Sequence, residues 1–326
     1  MRPLRYPGGG PPEAFRTVTV LQSEALRAVI CHRGLRLASL RLAPFGPGDE
    51  LLATLAKPMD FAYDPHYLGA FIGPYANRIA HASFMVGGER ITLTPNEGPH
   101  LLHSGPAGFH GWDWSPAGAF DDHQARFRLF WQDPDHAYPG RLDISVRFRV
   151  EATTLAVEIE AHTDETTPFN PTYHPYFHLS PDERPAIETH TIRTNAYGRL
   201  MADAANLPTG QIEAHDAGGQ VFAGSDRPPA LLDDCYVYRG RMHATISHLK
   251  SHRTLKIESD APAAQIYTGH HLSAATSGWP YLSGAGLCVE PQHPANSPNI
   301  DICGSTFLHP GEQYTRWIRY TIEGAV

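Results

Sequence analysis

The sequence predicts an all-β fold, with largely antiparallel sheets packed face to face and few, short helices. Two observations carry this expectation. Glycine and proline each occur 29 times in 326 residues, so few windows can hold an uninterrupted amphipathic helix. Apolar residues also recur with a period of two along much of the chain, as in half-buried strands.

Taken in order, residues 17–21, 28–32, 35–42 and 126–131 alternate and read as strands. The clearest run sets Leu142, Ile144, Val146, Phe148 and Val150 against Asp143, Ser145, Arg147 and Arg149; a short EATT link then leads into LAVEIEA. That pattern predicts an antiparallel hairpin with one face on a core and one in water. Further strands are expected over 244–247, 254–258, 265–268, 286–290 and 316–322. Neither a break in composition nor a repeat of 20–50 residues divides the chain, which predicts one domain over 16–326 behind a loose lead over 1–15. The PGGGPP in that lead lacks the lysine and following helix of a phosphate-cradling loop.

Composition narrows the partners. A net charge of -8 from 26 basic and 34 acidic residues, spread without a basic patch, argues against nucleic acid. No apolar run approaches the roughly 18 residues of a membrane span, and MRPLRYPGGGPPEAF lacks the apolar stretch of a signal peptide. A soluble, cytoplasmic chain with no membrane partner is the expectation. Cys31, Cys235, Cys288 and Cys303 are scattered without a Cys-x-x-Cys pair, so neither a disulfide framework nor a zinc ribbon is suggested.

Five stretches carry residues able to do chemistry. In GLCVEPQHP, Glu290 ends an apolar run in which neither face is polar before it; partial desolvation there favours the neutral carboxyl and makes the ionised form a better base. The alternative is a buried glutamate tied to amides or an arginine. In TPFNPTYHPYFHL, His174 sits among aromatic residues that suit either a proton carrier beside a sugar-stacking wall or a satisfied core histidine. GPYANRIAHASF supplies the Asn77 amide and Arg78 fork. HLLHSGPAGFHGWDW supplies His103 before a small turn, and LLDDCYV supplies adjacent carboxylates. A metal is not expected: on one strand, His174 and His178 would lie roughly 13 Å apart at about 3.3 Å per residue, beyond a shared ion.

In this order the segments resemble the aldose 1-epimerase family, in ANRI at 76–79, LHSGPAGFHGWDW at 102–114 and TPFNPTYHPYFHL at 167–179. Leu-Pro-Thr-Gly at 207–210, LDDCY, Tyr-Thr-Gly at 267–269, EPQHPANSPN and PGEQY complete the set. The resemblance implies a β-supersandwich fold, no cofactor, and a free aldose such as galactose or glucose as substrate. It also implies Glu290 as the general base on the anomeric hydroxyl and His174 as the general acid on the ring oxygen. Asn77, Arg78, His103, Tyr176, Asp233 and Gln265 match positions that bind sugar hydroxyls, with Asp234, one residue on, the alternative to Asp233. The chain departs from the pattern at Ser104, where the family has glycine, and at His100, Tyr173 and Pro175.

Two rival readings remain at this point. A hexose-phosphate epimerase on the same fold would need a cationic cluster for the phosphate, and the motif loops plainly supply only Arg78. A non-catalytic carbohydrate-binding module would share the aromatic walls but need no acid and base together. A monomer and a homodimer are both compatible with the sequence.

Overall fold

The computed structural model describes residues 12–180, 186–216, 218–223, 231–248, 250–272 and 283–324. Its largest sheet has nine strands, in the order Gln220–Ala223, His190–Thr194, Met242–His248, Thr254–Ser259, Tyr314–Glu323, Thr154–Thr163, Arg141–Glu151, Gln124–Gln132 and Ser115–Pro116. The expected hairpin lies at its heart: Leu142 pairs with Thr163 and Glu151 with Thr154. Residues of Arg141–Glu151 alternate between exposed or half-buried and buried, so the period of two buries Leu142 to Val150 in the main core.

A five-stranded sheet runs Pro208–Ala214, Gly198–Ala202, Asp233–Val237, Ala263–Tyr267 and Cys288–Gln292; a three-stranded sheet comprises Val18–Gln22, Leu26–Cys31 and Arg36–Leu42. All strand pairs within these sheets are antiparallel. Among the described residues every helical segment is a 3-10 turn of at most six residues, as the glycine and proline content demands. Strand ends differ from the sequence expectation by a residue or two, the usual fraying. Pro12–Phe15 forms a 3-10 turn and buries Phe15 completely, because an aromatic ring here covers the Arg36 guanidinium, 6.0 Å from its centroid. Residues 1–11, with most of PGGGPP, lie outside the described residues.

Cys288–Gln292 is an edge strand, which is where a strand tolerates Pro291. Its edge is covered by residues 167–179. Phe177 and Leu287 exchange backbone hydrogen bonds of 2.8 and 2.9 Å, and Thr172 Oγ1 donates to the Pro291 carbonyl at 2.9 Å. Asn170 clasps His293, donating to its carbonyl and accepting from its N–H. These anchors give the two segments opposed directions, so the residues between them, His174 and Glu290, come face to face.

Burial also sets a pH response. Desolvation lowers His103 well below 6.5, His174 and His293 to about 4, and His110 and His190 to about 3. The unfolded chain therefore binds protons on these rings as pH falls through 6.5 while the folded chain does not, and stability is lost across that window. Glu50, Glu290 and Asp234, raised by burial, act in the opposite sense, but they are three against seven once His32 and His270, also lowered by burial, are counted. We expect Tm to fall steadily between pH 6.5 and about 4, measured by circular dichroism in matched ionic strength; a flat profile would show that these rings are not buried neutral.

Candidate active site

The five-stranded sheet forms one wall of a pocket, and register decides which side chains face it. Gln265 lies opposite both Cys235 and Glu290; Tyr267 lies opposite both Asp233 and Cys288. Paired residues share a face and neighbours two apart repeat it, so Glu290, Cys288, Gln265, Tyr267 and Asp233 point the same way. Asp234 falls on the opposite face, 3.6 Å from Arg199, and of the two adjacent aspartates Asp233 is the one that lines the pocket. Leu287, Val289 and Ile266 turn into the main core.

The pocket holds about 210 Å³ and is lined by all eight residues named from the sequence: Asn77, Arg78, His103, His174, Tyr176, Asp233, Gln265 and Glu290. That is smaller than the roughly 300–1,000 Å³ of drug-sized sites, a scale suited to one small ring. Larger grooves of about 630 and 470 Å³ lie on the outer faces of strands of the nine-stranded sheet, lined by arginines and carboxylates that pair with one another.

His174 Nε2 stands 3.5 Å from Glu290 Oε1, and both side chains are nearly sealed from solvent. The Glu290 Oε2 atom is buried with no hydrogen-bond partner, a costly state that a ligand hydroxyl would relieve. Desolvation, and then the nearby Asp233 carboxylate, pushes the Glu290 carboxyl well above the usual range. The imidazole lies against the Tyr176 ring, with centroids 4.9 Å apart and planes at 29°. Its backbone is held on both sides, by His174 N–H to the Ala70 carbonyl and Gly69 N–H to the His174 carbonyl, each at 3.0 Å. Gly69 is required there: its φ is +62°, and a Cβ would lie 2.2 Å from the Leu37 oxygen.

The opposite wall carries the polar fork. Asn77 N–H donates to His103 Nδ1 at 3.1 Å, which leaves the proton of the neutral His103 ring on Nε2 as a donor. Burial first, then the His174 ring and Arg78, holds His103 neutral by lowering it well below its ordinary value. Arg78 is fixed by a two-point contact with Glu97 at 2.6 and 2.9 Å and lies 4.0 Å from Asp233. Asp233 accepts from Gln265 at 2.7 Å and from Asn206 at 3.1 Å. Tyr176 donates its hydroxyl to the His66 carbonyl, so it contributes its ring more than its hydroxyl. The small turn after His103 is not a surface feature, since His103 and Ser104 are both buried. Ser104 adopts φ 62°, the glycine-favouring region, and its Oγ both accepts from Tyr75 N–H and donates to the Tyr75 carbonyl.

Glu97, Tyr67, Tyr267 and His271 also line the pocket, and only Tyr267 sat in a quoted motif. His178 lies elsewhere, its ring against His190. Among the described residues, His174, Cys288 and Glu290 bring candidate metal-ligand atoms within 4.8 Å of one another. Burial raises both the Cys288 thiol and the Glu290 carboxyl well above their ordinary values, so both favour the protonated forms that a cation must displace.

The aldose 1-epimerase family profile matches residues 16–321. The chain belongs to the aldose 1-epimerase family. It is 29% identical to the human galactose mutarotase over 97% of this chain and 96% of that protein. It is 30% identical to an aldose 1-epimerase of Escherichia coli (strain K12) over 98% and 97% respectively. The solved structure of a GalM/aldose epimerase homologue from C. elegans superposes with a TM-score of 0.83 at 25% identity, covering 94% of this chain and 99% of that one. The fold is accordingly the β-supersandwich of the galactose mutarotase type, and this epimerase is an isomerase.

The clasp between residues 170–172 and 291–293 is what holds the two catalytic candidates together. Thr172→Val keeps the volume but strips the Pro291 carbonyl of its donor, which should cost about 1–3 kcal/mol in urea unfolding. Because the clasp sets the His174–Glu290 separation, kcat for epimerisation should fall more than KM rises. Lost stability with unchanged kcat would show that the clasp supports the fold without setting the site.

Proposed function

We propose that this epimerase interconverts the α and β anomers of a free hexose, with Glu290 as base on the anomeric hydroxyl and His174 as acid on the ring oxygen. The reading rests on one observation: a carboxylate and an imidazole from distant parts of the chain, both nearly inaccessible, meet at 3.5 Å in the wall of a pocket of sugar size. Removing the O1 proton while protonating the ring oxygen opens the hemiacetal. Rotation about C1–C2 presents the other face of the aldehyde, and the reverse transfers close the ring. The bond from C1 to the ring oxygen breaks as C1–O1 becomes the aldehyde carbonyl, and the protein need only take and give protons, which the chain's own side chains can supply.

Proton counting supports the assignment. Before ring opening Glu290 is ionised and His174 protonated; afterwards Glu290 holds a proton and His174 is neutral. Burial penalises both charges, as the raised Glu290 and the His174 value of about 4 indicate, so desolvation drives the pair towards its ring-open state. Coulomb attraction across 3.5 Å offsets the cost of the starting ion pair. Arg78 and the His103 Nε2–H are disposed to steady charge on the ring oxygen, while Asn77, Asp233 and Gln265 hold hydroxyls.

A neutral sugar fits better than a phosphorylated one. The pocket's arginine, Arg78, is already engaged by Glu97 and faces Asp233, with Glu290 close by. A phosphate would meet more carboxylate than cation. A carbohydrate-binding module would have no use for the buried, unpartnered Glu290 Oε2. The same proposal includes one domain over 16–326, extended back to residue 12 by Phe15, and a cytoplasmic location in keeping with four unpaired cysteines.

Polarimetry of freshly dissolved α-galactose and α-glucose, set beside the corresponding hexose phosphates, tests the function; no acceleration with any free sugar would sink it. Glu290→Gln and His174→Asn should each lower kcat by roughly 10²–10⁴ with the circular dichroism spectrum unchanged. Near wild-type turnover in either would remove that residue's role. In the wild type the pair carries one shared proton at neutral pH, and uptake of a second abolishes the base, so kcat/KM should drop as pH falls towards about 4.

A further inference from the structure

We propose that Cys288 is a positioning residue: its sulfur accepts the hydrogen on His174 Nδ1 throughout the cycle, confining proton exchange to Nε2. The inference rests on the acid role given to His174 and adds a residue that this role had not used.

The geometry comes from the strand. Cys288 and Glu290 are two residues apart in Cys288–Gln292 and project from the same face. The imidazole sits between them, with Nδ1 3.6 Å from Cys288 Sγ and Nε2 3.5 Å from Glu290 Oε1. Each ring nitrogen therefore has its own partner on one strand. The contact is buried on both sides, which keeps water from replacing either one.

The two proton states agree on Nδ1. In the ion pair both nitrogens carry hydrogen, so Nδ1–H points to sulfur and Nε2–H to the carboxylate. In the neutral state Glu290 holds the proton and donates it to Nε2, which must then be bare; the single ring hydrogen is left on Nδ1, again facing sulfur. The Nδ1–H···Sγ contact is thus unchanged while the Nε2 proton passes to and from the ring oxygen. Burial keeps the thiol protonated and uncharged, so this acceptor orients the ring without the anionic charge that would hold its proton more tightly. A ring hydrogen bond to the residue's own carbonyl also favours a ring proton, and the experiment must separate the two acceptors.

The test is the ¹⁵N–¹H correlation spectrum of histidine-labelled enzyme at pH 7, with His174 assigned by its loss in His174→Asn. We expect wild-type His174 as the Nδ1–H tautomer. In Cys288→Ala the ring should become a mixture of tautomers, with kcat down about tenfold, a fraction of the roughly 10²–10⁴ that a whole acid group supplies, and KM within about twofold. Cys288→Ser, which keeps an acceptor and nearly the same volume, should retain the wild-type tautomer and serves as the folded comparison if the alanine variant fails to fold. A wild-type ring protonated on Nε2 alone overturns the proposal. So does a Cys288→Ala enzyme with unchanged tautomer and kcat, which would leave the backbone carbonyl as the only orienting acceptor, or a Cys288→Ser enzyme that folds yet loses the wild-type tautomer. The tautomer is read without turnover, so full activity in His174→Asn would sink the acid assignment separately from the Cys288–Nδ1 contact.

Discussion

The site depends on a seam between an edge strand and a segment with almost no regular structure of its own. Residues 167–179 contain only two two-residue strands, Thr167–Pro168 and Thr172–Tyr173, yet they run antiparallel along Cys288–Gln292 through Phe177, Thr172 and Asn170. An open edge is a liability in a β protein, and here it is closed by the same residues that deliver the imidazole. Covering the edge, sealing the carboxylate and setting the imidazole opposite it are one structural act. Pro291 fits this arrangement: having no N–H of its own, it offers a carbonyl that Thr172 alone among the described side chains reaches.

The electrostatics follow from the seal. A carboxylate and an imidazole, both nearly inaccessible, would each prefer to be neutral. Elsewhere in the pocket charge is handled differently. Arg78, Glu97, Asp233, Gln265 and Asn206 form a chain of compensated contacts, which fixes donors and acceptors without leaving a free ion. Rigidity of that kind suits the recognition of several neutral hydroxyls, since ordering entropy is paid at folding and not again at binding.

Much of this was legible in the sequence, for identifiable reasons. The period of two revealed the hairpin 141–163 because its two faces meet different solvents. Glu290 stood out because an apolar run ends on it, with neither face polar before it; Leu287 and Val289 turn from it into the main core. What stayed hidden was the site built across distance. Tyr67 lines the pocket because Arg36 and Asp64, both fully buried and 2.7 Å apart, fold the turn at 64–68 through the Leu68 carbonyl and the His66 and Leu68 amides. No local periodicity marks such a turn. Glu97 was equally silent, since its value lies in gripping Arg78 nineteen positions earlier. Residues 1–15 read as a loose lead by composition, and only the stacking of Phe15 over Arg36 shows that the end of that lead supports this same buried pair.

Part of the chain's backbone strain lies at the pocket, and it bears on one departure from the family pattern. Tyr67, Asn77, His103 and Ser104 all have positive φ, between 51° and 64°, though none is glycine. Such conformations cost of order 1–3 kcal/mol each unless the surroundings over-determine them. Here they are over-determined: Asn77 and His103 hold each other by two hydrogen bonds, Asn77 N–H to Nδ1 and His103 N–H to the Asn77 carbonyl. Ser104 grips Tyr75 at both its N–H and its carbonyl. A glycine at 104 would relax the backbone without help, but the serine hydroxyl replaces that freedom with two contacts. Those contacts tie the turn carrying His103 to the segment carrying Asn77 and Arg78. The substitution is therefore compatible with the same site geometry, and it makes the polar wall stiffer by joining its two halves through a side chain.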